Sequence, residues 1–340
     1  MTLKTQADEI SEIAFGFMAS KALFAALHFE AFTHLAGGRK TAVELGAVTG
    51  LHPDRALTLL TALAGQGLVG VEEGRFFNSP AADAFLVKGA KYDFGDYLRL
   101  QVGKQMYGLL DQIDAALENK LPEGATGSYA DWFDDPEQAR LYSESQHAGS
   151  LGPARQLARR VDLSGARRML DVGGGTGAFA ITLCQAFPQL SVTIVDFPNV
   201  ARLGAEYVEA AGLSDRIAFI AGDALRADWP DAQDAILMSY LMSGVPGDMH
   251  GPLIARARDH LAPDGRLLVH DFVVDAARTG PPLAALWQLQ HTAFTPQARS
   301  LDDGWLRDAF SAAGFEEVSV APLVPQMTML AQGRLSQAET

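Results

Sequence analysis

The run Asp171-Val172-Gly173-Gly174-Gly175-Thr176-Gly177 constrains this chain more than any other feature. A strand pattern at 168–172 leads into it, and an apolar helical pattern at 178–187 leads out. Glycine permits positive φ and lets another molecule approach the backbone closely. A helix start adds free N–H groups and a positive dipole end. The run is therefore a strand–turn–helix unit suited to holding part of a ligand. The alternation continues downstream, with strands at 191–196, 217–220, 234–239 and 266–274 and helices at 200–211 and 252–261. Such alternation predicts a parallel sheet with helices on both faces. A last helix at 301–313, Gly314 and two strands at 317–321 and 327–331 suit a closing antiparallel hairpin. The expected fold class is α/β, a Rossmann-like seven-stranded domain over 161–340.

The glycines alone do not choose a ligand, because they also read as a dinucleotide fingerprint with Ala178 in the third small position. Three carboxylates on successive strand ends separate the possibilities. Asp171 stands before the glycines, where it can pair with an amino group. Asp196 closes the next strand and can accept from two ribose hydroxyls. Asp223, in Gly222-Asp223-Ala224, can face an adenine amino group. A nicotinamide dinucleotide gains little from Asp171 beside its pyrophosphate, so the pattern points to S-adenosylmethionine. The expected cofactor residues are Asp171, Gly173, Gly175, Asp196, Phe197, Gly222, Asp223, Ala224 and Ser239. The competing reading makes Asp171 and Asp223 helix caps.

The first part of the chain, 1–95, reads as short helices and a hairpin. Thr41 and Glu44 form a capping box, and Glu72-Glu73-Gly74 separates two short strands. Three helices followed by a two-stranded wing make a winged-helix pattern. A winged helix that reads DNA needs a basic face, yet residues 53–65 carry only Arg55 as a base, and the whole chain has a net charge of −14. That charge repels phosphate backbones and anionic membranes. A dimerisation module is the expectation, giving a homodimer with no nucleic-acid or membrane partner. Residues 96–160 read as connecting helices rich in aromatics, among them Tyr97, Tyr107, Tyr129, Trp132 and Tyr142, with a turn at 121–124. Cys184, the single cysteine, lies in an apolar stretch and reads as a buried thiol. No metal site is expected: His270, Asp271 and Asp275 are close only because one strand carries them. No apolar stretch reads as long enough for a membrane span, the N-terminus has acids where a signal peptide is basic, and the expected location is cytoplasmic.

Asp171 to Gly177, Val195-Asp196, Gly222-Asp223 and Ala312-Ala313-Gly314-Phe315 resemble the class I small-molecule methyltransferases of the caffeic-acid O-methyltransferase type. The resemblance covers nearly the whole chain. It implies a homodimer whose N-terminal domains help close the active sites, and it places Ser150 near the cofactor. It also exposes a departure. Members that methylate phenols carry a histidine base just after the fourth strand. A phenol has a pKa of about 10, and a positioned base contributes roughly 10²–10⁴-fold. Here the matching position is Ser243.

Three explanations follow. The nucleophile needs no deprotonation, as with a thioether sulfur; or the base is relocated to His291, His147 or Asp271; or the protein binds the cofactor without catalysis. The segment 142–153, together with the missing base, is similar to bacterial methylthiohydroxybutyrate S-methyltransferases of dimethylsulfoniopropionate synthesis. That resemblance implies methylation of 4-methylthio-2-hydroxybutyrate, with no base acting on the nucleophile. On that reading Tyr142, His147 and His291 are the catalytic candidates. Tyr107, Gln146, Trp287, Gln290 and Met242 are the substrate-binding candidates, with Tyr107, Tyr142 and Trp287 offering aromatic faces to a sulfonium. The alternative is an O-methyltransferase of a phenol or other hydroxylated small molecule.

Overall fold

The computed structural model describes residues 3–121, 133–295 and 297–336. Tyr129, Trp132 and most of the turn expected at 121–124 lie outside the described residues. The chain divides into two compact units, Met1–Tyr107 and Gly108–Thr340.

The N-terminal unit is helical with a small wing. Helices Ala7–His28, Ala31–Ala36, Ala42–Thr49 and Pro53–Gly65 precede the hairpin β1 (Val69–Glu72) and β2 (Arg75–Asn78). The capping box forms: Thr41 Oγ1 accepts from the Glu44 N–H at 3.2 Å, and the Glu44 carboxylate accepts from the Thr41 N–H at 2.7 Å. The hairpin turn places Glu73 at φ 51 and Gly74 at φ 75, the paired positive φ values that match strand twist. Phe32, Leu45, Leu60 and Leu63 fill the core of this unit. Helix Ala7–His28 leaves Ile10, Ile13, Phe15, Phe17 and Met18 exposed. The expectation that no apolar stretch is long enough for a membrane span does not hold for this helix. By length and composition this helix is apolar enough to cross a membrane, at a mean hydropathy of 1.5 over its best window. Its scattered acids disguise that when the sequence is read for one uninterrupted apolar run.

The second unit holds a seven-stranded sheet in the order β5-β4-β3-β6-β7-β9-β8. Its strands are β3 (Arg168–Val172), β4 (Ser191–Asp196), β5 (Ile217–Ala221), β6 (Gln233–Ser239), β7 (Leu261–Asp271), β8 (Phe315–Val324) and β9 (Thr328–Leu335). The first five are parallel, and β9 enters antiparallel between β7 and β8. The expected seven strands and the closing hairpin are both present. Helices sit on both faces, burying two separate cores, one around Leu183 and Ile194 and one around Ile236 and Phe310. The chain order reverses at β3, where β4 leaves on one side and β6 on the other. That is the place at which open α/β sheets bind ligands, beyond the carboxyl ends of the strands.

Candidate active site

A cavity of about 680 Å³ opens at those strand ends. The glycine run forms its floor. Gly173, Gly175 and Gly177 have φ of 67°, 59° and 83°, a region that strongly favours glycine. At Gly174 the demand is space: an added Cβ would lie 2.6 Å from the Asp171 carboxyl. Asp171 is fully buried, and neither of its oxygens has a hydrogen-bond partner. Burial, then the neighbouring charge of Asp196, pushes its carboxyl up to about 7. Such a group is uncompensated in the protein alone. It fits a cationic amino group entering across Gly174, and it caps no helix.

Asp196 is differently placed. One oxygen accepts from the Gly175 N–H at 2.7 Å and the other from the Phe197 N–H at 2.8 Å. Burial pushes it up to about 6, with those two bonds working against the rise. Each oxygen keeps a further lone pair, so a vicinal diol remains a suitable partner. Asp223 lines the cavity and also accepts from the Leu225 N–H at 2.9 Å, closing a turn; no helix follows it before β6, so it caps none. Phe197, Ala224 and Ser239 line the cavity as well, while Gly222 does not. Gly222 serves the backbone, donating to the Asp196 carbonyl at 2.8 Å. These groups match S-adenosylmethionine in kind: a carboxylate for its ammonium, a second for its ribose, and a third beside the pocket's far wall.

The roof is the long helix Pro136–Arg160. Tyr142, Gln146, His147 and Ser150 recur at helical spacing and all line the cavity. Gln146 Nε2 donates to the Tyr142 hydroxyl at 3.0 Å. His147 Nδ1 meets Thr176 Oγ1 at 2.7 Å, and its ring stacks on Tyr207 with centroids 4.0 Å apart. Burial lowers the His147 imidazole to about 4, so it is neutral at pH 7. Thr176 is a site residue that its own spacing does not single out. The available signal was its place inside the glycine run.

The remaining wall differs from the expectation. Helix Pro282–Phe294 reaches the cavity only through its end, by Phe294 and the following Thr295. Trp287 instead stacks on Phe272 with centroids 4.2 Å apart and an interplanar angle of 14°. Gln290 and His291 are buried and line no part of the cavity, and neither ring nitrogen of His291 has a partner. Burial lowers the His291 imidazole to about 4. Met242 is fully buried in the core with Leu253 and Phe310 and does not line the cavity. The 3-10 turn Met242–Gly244 points it inward, where His250 Nε2 donates to its carbonyl at 2.7 Å. Tyr107 ends the N-terminal unit, its ring 3.7 Å beneath the Lys21 ammonium.

The wall is completed by residues just past β6: Tyr240, Leu241, Gly244, Val245 and Pro246. Tyr240 turns the chain with φ 57, a rare conformation for an aromatic residue and one that clusters at functional sites. The turn seats Leu241 against Gly173, where a Cβ would come within 3.0 Å of it. Ser243 is buried behind this wall, and its N–H donates to Asp271 Oδ2 at 2.9 Å. Asp271 is fully buried, and its other oxygen accepts from the Phe272 N–H at 2.7 Å. No group of three or more metal-ligating side chains occurs among the described residues.

A family profile described as the O-methyltransferase domain matches residues 109–316, and one described as the O-methyltransferase dimerisation domain matches residues 11–88. The chain is 32% identical over 305 residues to the 3-hydroxy-5-methyl-1-naphthoate 3-O-methyltransferase of Streptomyces sahachiroi, covering 88% of each protein. It is 34% identical over 284 residues to the N,N-dimethyltransferase OxyT of Streptomyces rimosus, covering 81% of this chain and 80% of that one. Human N-acetylserotonin methyltransferase, solved in complex with S-adenosylmethionine, shares the fold with a TM-score of 0.83 at 19% identity, over 99% of this chain and 100% of that chain. The two Streptomyces relatives are named for an oxygen and a nitrogen acceptor. With both domain profiles, the unpartnered Asp171 and the glycine cradle in agreement, this chain belongs to the S-adenosylmethionine-dependent O-methyltransferase family.

Proposed function

We propose that the protein methylates a small molecule at an atom with no proton to lose, a thioether sulfur, with 4-methylthio-2-hydroxybutyrate as the favoured acceptor. One observation carries this reading. Ser243 stands where the resemblance calls for a histidine base, and it is buried behind the cavity wall with its N–H tied to Asp271. The substitutes are poorly suited to the task. A general base works best with a pKa near the operating pH, and both His147 and His291 are lowered to about 4. Taking a proton from a phenol of pKa about 10 onto such an imidazole is uphill by roughly six pKa units, or about 8 kcal/mol. His291 and Asp271, moreover, do not line the cavity.

S-adenosylmethionine, when bound, supplies an electrophilic methyl group. The chain's contribution is placement. Asp171 and Asp196 hold the cofactor, and the wall from Tyr240 to Pro246 faces the acceptor. Tyr142, Gln146 and His147 offer uncharged hydrogen-bonding groups to an acceptor's hydroxyl or carboxylate. Orientation of this kind contributes on the order of 7–11 kcal/mol. The dimerisation profile and the exposed apolar face of helix Ala7–His28 support a homodimer.

A second reading has its own support. The naphthoate relative is an oxygen methyltransferase, and the relatives as a group favour a hydroxyl acceptor over a thioether. On that reading His147 is the base closest to the cavity, since it lines it. The test is release of S-adenosylhomocysteine by the purified protein with 4-methylthio-2-hydroxybutyrate in one series and phenols in another. Turnover confined to the thioether acid supports the first reading. Turnover confined to phenols overturns it and moves attention to His147.

A further inference from the structure

Ser239 ends β6 and lines the cavity, and behind it runs a chain of three side chains leading out of the site. Ser239 Oγ lies 2.9 Å from His270 Nδ1, and His270 Nε2 lies 2.9 Å from Thr328 Oγ1. Thr328 Oγ1 also accepts from the Val324 N–H at 3.3 Å. His270 is fully buried and Thr328 is 1% exposed.

The proton positions in this chain follow from counting. His270 is neutral, because burial lowers its imidazole to about 3, so it carries one N–H. Among the described residues, His270 Nε2 is the only acceptor within reach of the Thr328 hydroxyl proton. If His270 instead carried its proton on Nε2, Thr328 would hold a buried O–H with no acceptor, which native structures avoid. The arrangement without an orphan runs one way. Thr328 donates to Nε2, and Nδ1–H donates to Ser239 Oγ. The Ser239 proton then has no acceptor among the described residues and is left for the cavity. A serine hydroxyl is otherwise free to rotate between donor and acceptor roles.

We propose that Ser239 is a dedicated hydrogen-bond donor to an oxygen lone pair of the bound ligand, with His270 and Thr328 as positioning residues that set this polarity. The ligand oxygen is of the kind a carboxylate presents. Two molecules can bring one: the cofactor, and a hydroxy-acid acceptor. The cavity's other fixed polar groups at the floor are the carboxylates Asp171 and Asp196, which suit cationic and donor groups, so Ser239 supplies the opposite polarity. The inference rests on the cavity being the cofactor and acceptor site proposed above.

Three measurements test it. Histidine ¹⁵N NMR of the wild-type protein should show His270 as the Nδ1–H tautomer, and an Nε2–H tautomer would overturn the proposal. Titration with S-adenosylhomocysteine and the KM of the acceptor then separate the two sources. Ser239→Ala should weaken one of these by about tenfold, the worth of one hydrogen bond to a charged group, and leave the other within about twofold. A loss in homocysteine-cofactor affinity assigns the oxygen to the cofactor, and a rise in acceptor KM assigns it to the acceptor. Thr328→Val should weaken the same quantity, Thr328→Ser should restore it, and the Ser239→Ala/Thr328→Val double variant should be no weaker than Ser239→Ala alone. Additive effects in the double variant, or no effect of Ser239→Ala on either quantity, would refute the relay. The tautomer and the titration are read without turnover, so they stand whichever acceptor the enzyme turns over.

Discussion

Replacing Asp171 by Asn should stabilise the ligand-free protein while impairing cofactor binding. Asp171 is fully buried with both oxygens unpartnered, and its carboxyl is raised from 3.8 to about 7. Because the folded pKa is raised, the folded protein holds a proton there that the unfolded chain has released. That preference favours folding at low pH and is lost as pH rises from about 4 to about 7. A shift of about three pKa units corresponds to about 4 kcal/mol of gross destabilisation above pH 7. Asn removes the charge but leaves a buried NH2 group without an acceptor, costing about 1–3 kcal/mol. The net gain is roughly 1–3 kcal/mol at pH 8, or about 3–9 °C in Tm for a unit of this size. Thermal unfolding from pH 5 to pH 8, with and without S-adenosylhomocysteine, measures it. The wild-type advantage over the variant should shrink and reverse as pH rises, and the variant should lose most of the ligand-induced shift. A variant that is no more stable than wild type at pH 8, or whose ligand response is intact, refutes the reasoning.

Further outcomes follow from the same geometry. Gly174→Ala would put a Cβ 2.6 Å from the Asp171 carboxyl; calorimetric titration should show S-adenosylhomocysteine affinity reduced on the order of 100-fold, as expected of a displacement near 1 Å in a binding constellation. His291→Leu removes two buried nitrogens that lack partners and should raise the urea-unfolding free energy by about 1 kcal/mol or more; unchanged or lower stability would mean those nitrogens are satisfied in solution. At saturating cofactor, kcat/KM with the thioether acid should be flat from about pH 6 to 9, since no proton leaves the nucleophile. A tenfold rise per pH unit would instead place a base in the reaction.

The sequence by itself determined the architecture and the residues that form the cavity floor. Strand–helix alternation appears as a period of two giving way to a period of 3.6, and each is a local property. The glycine run is equally local: positive φ at Gly173, Gly175 and Gly177 is a demand each residue meets on its own backbone. Asp171, Asp196 and Asp223 are legible because a parallel sheet brings successive strand ends to one edge, so their positions in the alternation already imply proximity. The turn at Glu73-Gly74 and the capping box at Thr41 belong to the same class.

Only the tertiary structure decided the rest of the cavity wall. Whether helix Pro282–Phe294 turns Trp287 and His291 or Phe294 towards the cavity depends on its rotation about its axis and on where it ends. Those are set by packing against distant residues such as Phe272. Met242 and Tyr240 are two residues apart, yet one enters the core and the other the cavity wall, because a single left-handed residue redirects the chain. The partnership of His147 with Thr176 spans 29 positions, and that of His270 with Thr328 spans 58. No local pattern encodes such pairs. Proton affinity follows the same rule: the sequence supplies an imidazole or a carboxyl, and burial, which exists only once the chain has folded, decides how tightly each holds its proton.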